Sequence, residues 1–397
     1  MTAVSRHSPS ASTSSAAEET VLVLQGGGAL GAYQAGVFES LSTAYCEPAW
    51  VAGISIGAIN AALIAGNPAE QRLQRLRAFW DLVSSALPAP ALVAAPLRAP
   101  WNEAQALQVM LCGVPGFFTP RIPPAPLQPR GTLEAISYYD TRPLQATLER
   151  LVDFDRINSG ATRLSVGAVN VRTGNFAYFD SAHQRIDARH IMASGALPPG
   201  FGAVAVDGRW YWDGGLVSNT PLAHVMRHLD AQADRPVNLF QIDLFSARGA
   251  LPHTLADVAE RQKDIQYSSR TRMVSDHVRE RHDLHQRLRA LAEHVPPAER
   301  GSAAVQALLA DASDPPITLV HVIHRSKDYE TQTKDYDFSR LSMVEHWLAG
   351  KDDMVASLQL LARSGPAQPG EFRVLDYRPD ASAVRVVHDR SYKVDSF

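Results

Sequence analysis

The strongest chemical candidate in the chain is Ser55, which stands between two glycines in the stretch Gly53-Ile-Ser-Ile-Gly57. Residues 49–55 predict a buried strand, and the apolar, alanine-rich residues 56–66 predict a helix directly after it. A serine on a sharp turn between a strand and a helix fits a nucleophile elbow, which needs small neighbours so that both elements approach closely. The alternative is a small-residue turn that only packs a buried helix.

A second candidate is the glycine-rich loop at residues 26–31, GGGALG, which follows the apolar run at residues 21–24. One interpretation is a dinucleotide phosphate loop, which requires an acidic residue at the end of the second strand. That strand ends in Ser55 and Glu47 precedes it, so no carboxylate is placed to reach a ribose. The other interpretations are an oxyanion hole formed by glycine N–H groups and a tight turn that serves packing alone.

The third candidate is Asp213, at the end of a predicted strand and before Gly214 and Gly215. An aspartate in such a turn often accepts hydrogen bonds from its own backbone. On a rigid strand end, the same carboxylate can also reach a serine on another strand, because the carboxyl ends of parallel strands gather at one edge of a sheet. Asp213 is therefore the candidate base for Ser55.

Histidine is the usual base of serine hydrolases, yet none of the 14 histidines stands at a glycine-flanked strand end. The pairs His282/His285 and His321/His324 have metal-like spacing but no third ligand in the sequence pattern. We therefore expect neither a metal nor another cofactor.

Composition limits the classes of function. The chain has 397 residues, of which 45% are hydrophobic, and a net charge of −3 that gives no positive excess for nucleic acid. Two cysteines are too few for a disulfide scaffold and are compatible with a reducing compartment. Residues 1–20 lack the apolar run of a signal peptide and predict a disordered tail, and no apolar run reaches the length of a membrane span. We expect a cytoplasmic protein whose contact with membranes is peripheral.

The predicted elements alternate between strand and helix, which is typical of an α/β fold with a mostly parallel central sheet flanked by helices. Residues 21–226 are assigned to a catalytic domain, and residues 227–397 to a C-terminal α/β elaboration packed on it, because no clear linker divides them. Within the elaboration, the charged residues 253–294 predict helix, either on the surface or at a contact between subunits. Residues 337–350 and 352–365 predict two short helices.

Residues 86–130 break the alternating pattern, with ten prolines between Pro88 and Pro129. This density of proline predicts an absence of regular structure. The segment also contains apolar side chains, among them Phe117 and Phe118, which would form an aggregation-prone patch if they were all exposed. We therefore expect it to cover Ser55 and to help to form an acyl pocket.

Together the motifs resemble the patatin-like phospholipase family. The order is a glycine-rich loop at residues 26–31, Gly-x-Ser-x-Gly at 53–57 and Asp-Gly-Gly at 213–215. Residues 193–201, ASGALPPGF, resemble the stretch that precedes the aspartate motif in this family. The resemblance covers about residues 21–226 and implies a three-layer fold with a mostly parallel sheet. Residues 334–350 resemble a C-terminal extension found on some bacterial members.

By this resemblance Ser55 is the nucleophile and Asp213 its sole catalytic partner. The N–H groups that it implies for the oxyanion hole are those of Gly26, Gly27, Gly28 and Ile56. The remaining motif positions are Gly31, Gly53, Gly57, Gly214 and Gly215. The implied activity is hydrolysis of the carboxylic esters of lipids through an acyl-enzyme, with a lipid or another acyl ester as substrate.

The loop departs from the family pattern in one respect. It ends in Ala29-Leu30-Gly31, without the basic residue that many members carry there, so a preference for strongly anionic headgroups is not implied. Acyl transfer by the same dyad and a non-catalytic nucleotide-binding module remain as alternatives. Labelling by a fluorophosphonate separates an enzyme from a binding module.

Overall fold

The computed structural model describes residues 18–377, apart from 87–92, 94, 230–234, 269–270, 312–314, 328 and 369. Most of the predicted disordered tail, residues 1–17, lies outside the described residues, as do residues 378–397. The first strand begins at Glu19 and thus includes the last two residues of the predicted tail. Glu19 and Thr20 join the strand because each has a partner in a neighbouring strand.

Strands and helices follow one another along the described part of the chain. In chain order, the strands are β1 (Glu19–Leu24), β2 (Pro48–Ile54), β3 (Thr119–Pro120), β4 (Tyr139–Asp140), β5 (Arg163–Asn170), β6 (Phe176–Asp180), β7 (Val204–Val206), β8 (Arg209–Asp213), β9 (Val237–Asp243), β10 (Ile317–Ile323) and β11 (Phe372–Asp376). The helices are α1 (Gly31–Thr43), α2 (Ile56–Ala65), α3 (Ala69–Val83), α4 (Ala95–Cys112), α5 (Arg142–Leu151), α6 (Phe154–Asn158), α7 (Ala188–Ser194), α8 (Leu222–His228), α9 (Leu255–Tyr267), α10 (Thr271–Glu293), α11 (Pro297–Arg300), α12 (Ala303–Asp311) and α13 (Arg340–Ser364).

A nine-stranded sheet organises the fold, in the order β11-β10-β9-β1-β2-β5-β8-β7 with β6 paired to β5. All neighbours from β11 to β5 run parallel, whereas β6 and β8 join β5 antiparallel. The predicted class, an α/β fold with a mostly parallel central sheet flanked by helices, is confirmed. Strands β9, β10 and β11 come from the C-terminal region and extend the same sheet beyond β1.

Helices cover both faces of this sheet, and its central strands are accordingly buried at almost every position. On one face, helices α1, α2, α3 and α13 build the larger core, in which Tyr33 and Trp80 are almost fully buried. On the other face, Leu222 and Val225 of α8 pack against β1 and β9 in a smaller core. The sheet is therefore the middle layer of three.

The prediction that residues 86–130 lack regular structure is wrong, because α4 runs through Ala95–Cys112. Its prolines, Pro96 and Pro100, lie in the first two turns, and residues 101–112 contain none. The first four N–H groups of a helix have no partner within it, so only Pro100 removes a helical hydrogen bond.

The prediction of two short helices near the C-terminus is also wrong, because Arg340–Ser364 is one continuous helix. Gly350, the predicted helix end, lies in its middle, where a Cβ atom would collide with the carbonyl oxygen of Tyr33 on α1. A Cβ atom on Gly36 of α1 would collide with the carbonyl oxygen of Trp347 in the same way. These glycines serve the close crossing of α1 and α13, not a helix end.

Candidate active site

Ser55 occupies the tight turn between β2 and α2, and its backbone has φ 55° and ψ −123°. A positive φ is strained for a residue with a side chain and persists only where the surrounding structure enforces it. The Ser55 N–H donates to Ser194 Oγ at 3.0 Å, and the Ser194 hydroxyl donates to the carbonyl oxygen of Gly167 at 2.7 Å. These two bonds tie the strained turn to α7 and β5.

The two glycines that flank Ser55 are required by close packing. A Cβ atom on Gly53 would collide with the carbonyl oxygen of Gly57, and one on Gly57 would collide with that of Leu24. The helix α2 can therefore start directly over the ends of β1 and β2 only with glycine at both positions. This packing presents the Ser55 side chain to a cavity that the glycine loop also lines.

Asp213 reaches Ser55 through the register of the sheet. Strand β5 sets Gly167 beside Ile54 of β2 and Ala168 beside Asp213 of β8. Because β8 runs antiparallel to β5, the sequence-based reason for the meeting, that parallel strands end at one edge, is wrong. The meeting itself occurs: Ser55 and Asp213 line the same cavity, and the Ser55 hydroxyl acts on the Asp213 carboxyl to lower its pKa.

The Asp213 carboxyl is almost fully buried, with 2% of the residue exposed. Burial raises its pKa to about 6, although hydrogen bonds from the Ser55 hydroxyl and the Gly215 N–H act in the opposite direction. The Gly215 N–H lies 2.7 Å from Asp213 Oδ1. The carboxylate is thus a better proton acceptor than an exposed aspartate, and it remains mostly ionised at neutral pH.

The glycine loop lies beside this pair, but its three leading glycines are not equivalent. The Gly26 N–H donates to the carbonyl oxygen of Asn219 at 3.2 Å, so it is not directed at an oxyanion. Gly27 and Gly28 line the same cavity as Ser55 and Ile56. Gly28 has φ +55°, which favours glycine. Of the four predicted oxyanion donors, the N–H groups of Gly27, Gly28 and Ile56 therefore remain as candidates.

The other predicted motif glycines serve packing. A Cβ atom on Gly31 would lie 2.5 Å from Ile56 Cγ1, and one on Gly214 would lie 2.7 Å from the carbonyl oxygen of Gly167. Gly215 instead supplies the N–H that holds Asp213 in place.

Two side chains that no sequence motif indicated hold the glycine loop in position. Gln25 Oε1 accepts hydrogen bonds from the N–H groups of Leu244 and Phe245, at 2.6 and 2.8 Å. The Asn219 amide donates to the carbonyl oxygens of Gly26 and Tyr267, at 3.0 and 2.9 Å. Sequence reasoning missed both residues, because their partners are distant in the sequence.

Residues from both predicted domains enclose a cavity of about 330 Å³ above Ser55. The predicted cover contributes Phe117 and Phe118, whose ring centroids are 5.4 Å apart. The C-terminal region contributes Phe338, whose ring centroid lies 5.8 Å from that of Phe117. Further apolar or aromatic lining residues are Val109, Met110, Tyr138, Tyr139, Leu197, Phe201, Phe245, Tyr267 and Tyr336. Of the predicted cover, the residues from Val109 to Phe118 thus contribute to the cavity that contains Ser55, and a role in binding an acyl chain stays a prediction.

The C-terminal region also supports the glycine loop from behind. The Ala29 N–H donates to the carbonyl oxygen of Asp335 at 2.8 Å, and a Cβ atom on Gly28 would collide with that oxygen. The carboxylate of Asp335 is paired with Lys263. The contacts of Gly28 and Ala29 with Asp335 could not be predicted, because the loop and Asp335 are some 300 residues apart in the sequence.

No histidine is among the described residues that line this cavity. His190 instead belongs to the capping box of α7, where its Nδ1 accepts a hydrogen bond from the Asp187 N–H at 3.0 Å. Glu47, the acidic residue nearest the second strand, is paired with Arg72. Within the described part of the chain, the site therefore offers neither the imidazole of a conventional triad nor an unpaired carboxylate beside β2 for a ribose.

Comparison with known families agrees with this geometry. A model of the patatin-like phospholipase family matches residues 22–226, and a second model, described as patatin phospholipase, matches residues 265–369. The first match covers more than half of the chain, which therefore belongs to the patatin-like phospholipase family and is a lipid acyl hydrolase by class. A search of curated proteins finds no match.

Solved structures show a more distant likeness. VipD from Legionella pneumophila is 14% identical, with a TM-score of 0.37, and the match covers 86% of this chain and 67% of VipD. Full-length ExoU from Pseudomonas aeruginosa, solved with SpcU, is 16% identical, with a TM-score of 0.32, and the match covers 74% of this chain and 61% of ExoU. The chain thus spans less than two thirds of ExoU, and at these values the likeness says nothing about substrate.

The raised pKa of Asp213 predicts an unusual stability effect. A folded-state pKa of about 6, above the usual 3.8, means that the folded protein holds this proton more tightly than the unfolded chain. Stability from this group is therefore complete below the unfolded pKa and is lost as the pH rises to about 6. We expect Asp213→Asn to increase the free energy of unfolding at pH 7.5, by on the order of 2–3 kcal/mol, with the gain fading towards pH 4. Thermal unfolding of the wild type and of the variant at several pH values measures this difference in the free energy of unfolding.

The matched control is Asp180→Asn, another buried aspartate at a strand end. Burial alone would raise its pKa, but hydrogen bonds from His224 and Arg163 hold the pKa of Asp180 well below its usual range. Its replacement should destabilise the protein at pH 7.5, opposite in sign to Asp213→Asn. A destabilising, pH-independent effect of Asp213→Asn would contradict the account.

Proposed function

We propose that the protein hydrolyses carboxylic esters of lipids through a dyad in which Ser55 is the nucleophile and Asp213 the general base. One observation carries the proposal: a serine on a strained turn shares a cavity with a buried carboxyl group, whose pKa burial raises to about 6. Buried, perturbed carboxyl groups beside a potential nucleophile are typical of catalytic sites. Family membership supports the lipid ester as the substrate class.

In the proposed reaction, Ser55 Oγ attacks the acyl carbonyl carbon while Asp213 accepts the hydroxyl proton. The N–H groups of Gly27, Gly28 and Ile56 stabilise the negative charge on the former carbonyl oxygen. The tetrahedral intermediate collapses to an ester of Ser55, and Asp213 returns the proton to the departing alcohol. Water then attacks this ester with Asp213 as base, which releases the fatty acid and restores the serine.

Transfer to another alcohol would differ only in the molecule that attacks the ester of Ser55. The same dyad would serve it, so the two activities are separated by the acceptor and not by the residues. The nucleotide-binding alternative has weaker support, because Glu47 is engaged by Arg72 and the glycine loop faces Ser55.

An apolar chain is the ligand that the cavity suits best. Its walls are mostly aliphatic and aromatic, and Ser55, Asp213 and the glycine loop supply polar groups to the same cavity. This distribution favours a carbonyl group at the dyad and an acyl chain between Phe117, Phe118 and the rings around them.

The surface near the mouth of the cavity is suited to a lipid aggregate. Met110 and Tyr138 line the cavity and are also 41% and 55% exposed. Leu107 and Leu111 share a helical face with Met110 and are 52% and 68% exposed. No described helix combines the length and hydrophobicity needed to cross a membrane. Contact with membranes is accordingly proposed to be peripheral, through this exposed part of α4.

The dyad makes a direct kinetic prediction. Ser55→Ala and Asp213→Asn should each lower kcat for ester hydrolysis by at least about 10⁴-fold, because one removes the nucleophile and the other the base. In the wild-type enzyme, kcat/KM should rise with pH and reach half its maximum near pH 6, as Asp213 ionises. Steady-state assays on a soluble ester between pH 4.5 and 8.5 measure both. The controls His183→Asn and His190→Asn should retain substantial activity, and loss of activity in either as large as that in Ser55→Ala would restore a histidine-based mechanism.

The acyl pocket predicts selectivity for chain length. Phe117→Ala and Phe118→Ala should lower kcat/KM for long-chain esters at least about ten-fold more than for short-chain esters, because only a long chain contacts these rings. Phe79→Ala is the control, since Phe79 is buried against Phe117 but does not line the cavity. It should reduce stability and leave the ratio of long-chain to short-chain kcat/KM unchanged. Equal losses on both substrates in the Phe117 and Phe118 variants would contradict a pocket role.

The exposed face of α4 predicts a dependence on the physical state of the substrate. A double variant, Leu107→Asp with Leu111→Asp, should hydrolyse phospholipid vesicles at least about ten-fold more slowly, because charge disfavours insertion at an interface. Its activity on a dissolved short-chain ester should be unchanged. Leu291→Asp, at an equally exposed leucine on α10, controls for added charge. Unchanged vesicle hydrolysis by the double variant would eliminate this surface as the point of contact.

A further inference from the structure

His324, Glu330 and His346 form a buried cluster outside the catalytic dyad. His324 directly follows β10, Glu330 lies in the connection to α13, and His346 is on α13 itself. Their side chains are only 1%, 4% and 5% exposed. The sequence pattern did not indicate a metal site at His324 because it offered no third ligand. The fold supplies two more groups of ligand type at the same point.

The geometry of the cluster suits a metal ion. His324 Nε2 lies 3.2 Å from Glu330 Oε2, and His346 Nε2 lies 3.1 Å from Glu330 Oε1. The candidate ligand atoms all lie within 4.8 Å of one another. A tetrahedral site with metal–ligand distances of about 2.0–2.1 Å has ligand–ligand distances of about 3.3–3.4 Å, close to the two N–O distances. We propose that this cluster binds a divalent transition-metal ion, with Zn²⁺ as the best match to two imidazoles and a carboxylate.

A small polar cavity adjoins the cluster and provides room for a further ligand. Its volume is about 10 Å³, at the lower limit for holding one water molecule, and Glu330 and His346 are among its lining residues. Asn102 also lines it, and its Oδ1 is buried without a hydrogen-bond partner in the described part of the chain. A water bound to the metal would donate to that oxygen. Catalytic zinc sites likewise complete three protein ligands with a water.

The local charge also favours a cation. Lys334 donates to Glu260 at 3.0 Å and is paired with Asp264 at 2.7 Å, so its ammonium already has two carboxylates. Glu330 adds a third carboxylate close by, itself almost fully buried, and its hydrogen-bond partners are the two imidazoles. A divalent ion would compensate the excess negative charge that these described groups create.

The site would fasten the wall of the catalytic cavity. Glu330 belongs to the segment 329–338, which carries Tyr336 and Phe338 into that cavity. The same segment supplies the Asp335 carbonyl oxygen that accepts the Ala29 N–H. Removal of the metal should therefore loosen this segment and disorder the part of the cavity wall that Tyr336 and Phe338 form. This consequence rests on the proposed function, whereas metal binding itself does not.

A binding experiment tests the proposal on the full chain. After dialysis against a chelator, titration with Zn²⁺ should give one tightly bound ion per chain and raise the unfolding temperature. His346→Gln and Glu330→Gln should bind Zn²⁺ at least about 100-fold more weakly. The glutamine amide in His346→Gln can still donate a hydrogen bond to Glu330. If the cluster were only a hydrogen-bond network, this variant would therefore keep it intact, whereas a metal site would lose a ligand. His224→Gln is the matched control, a buried histidine paired with Asp180.

Substitution with Co²⁺ provides a second, independent measurement on wild-type protein, which decides the matter if the variants fail to fold. The absorption spectrum should show a four- or five-coordinate site without the charge-transfer band of a thiolate. Absence of stoichiometric Zn²⁺ binding would overturn the proposal, and so would a thiolate band, which would indicate Cys46 or Cys112. Full retention of Zn²⁺ affinity in folded His346→Gln would overturn it as well. Ser55→Ala should bind Zn²⁺ like the wild type, so a failed metal site and a failed dyad are distinguishable.

Discussion

The close approach of the Asp213 carboxyl to the Ser55 hydroxyl is the constraint on which the proposed active site depends. It joins the ends of β2 and β8, two strands that do not pair with each other but both pair with β5. Its geometry follows from the β5 register, from the glycines that let α2 start over the strand ends, and from the Ser194 hydroxyl that holds the Ser55 N–H. Burial raises the pKa of this carboxyl group, and in the proposed dyad it serves as the base without a histidine.

The C-terminal region takes part in this site. Its strands β9, β10 and β11 continue the central sheet, and its long helix α13 crosses α1 at two glycines. The segment 329–338 supports the glycine loop and contributes two aromatic side chains to the cavity. We propose that residues 227–397 form an elaboration of the catalytic domain and not a unit that acts alone. The proposed metal cluster lies where this elaboration meets the cavity wall.

Much of the local structure could be predicted from the sequence, because its signals are local. Apolar runs indicated the central strands, and glycine spacing indicated the turn at Ser55. Features that depend on distant contacts could not be predicted in this way. The direction of β8, the continuity of α13 through Gly350 and the strand β11 are set by tertiary packing or pairing. The Ser194 anchor, the Asp335 support and the cluster of His324, Glu330 and His346 likewise join residues far apart in the chain.

The most direct test of the central claim is covalent labelling with a fluorophosphonate, followed by mass spectrometry of the intact chain and of its peptides. The account predicts one adduct per chain, located on Ser55, with a labelling rate that rises as the pH increases through about 6. In folded Asp213→Asn protein, the same serine should label at least about 10³-fold more slowly, because no base accepts its proton. Labelling at a different residue, or labelling of the Asp213→Asn variant at the wild-type rate, would contradict the account.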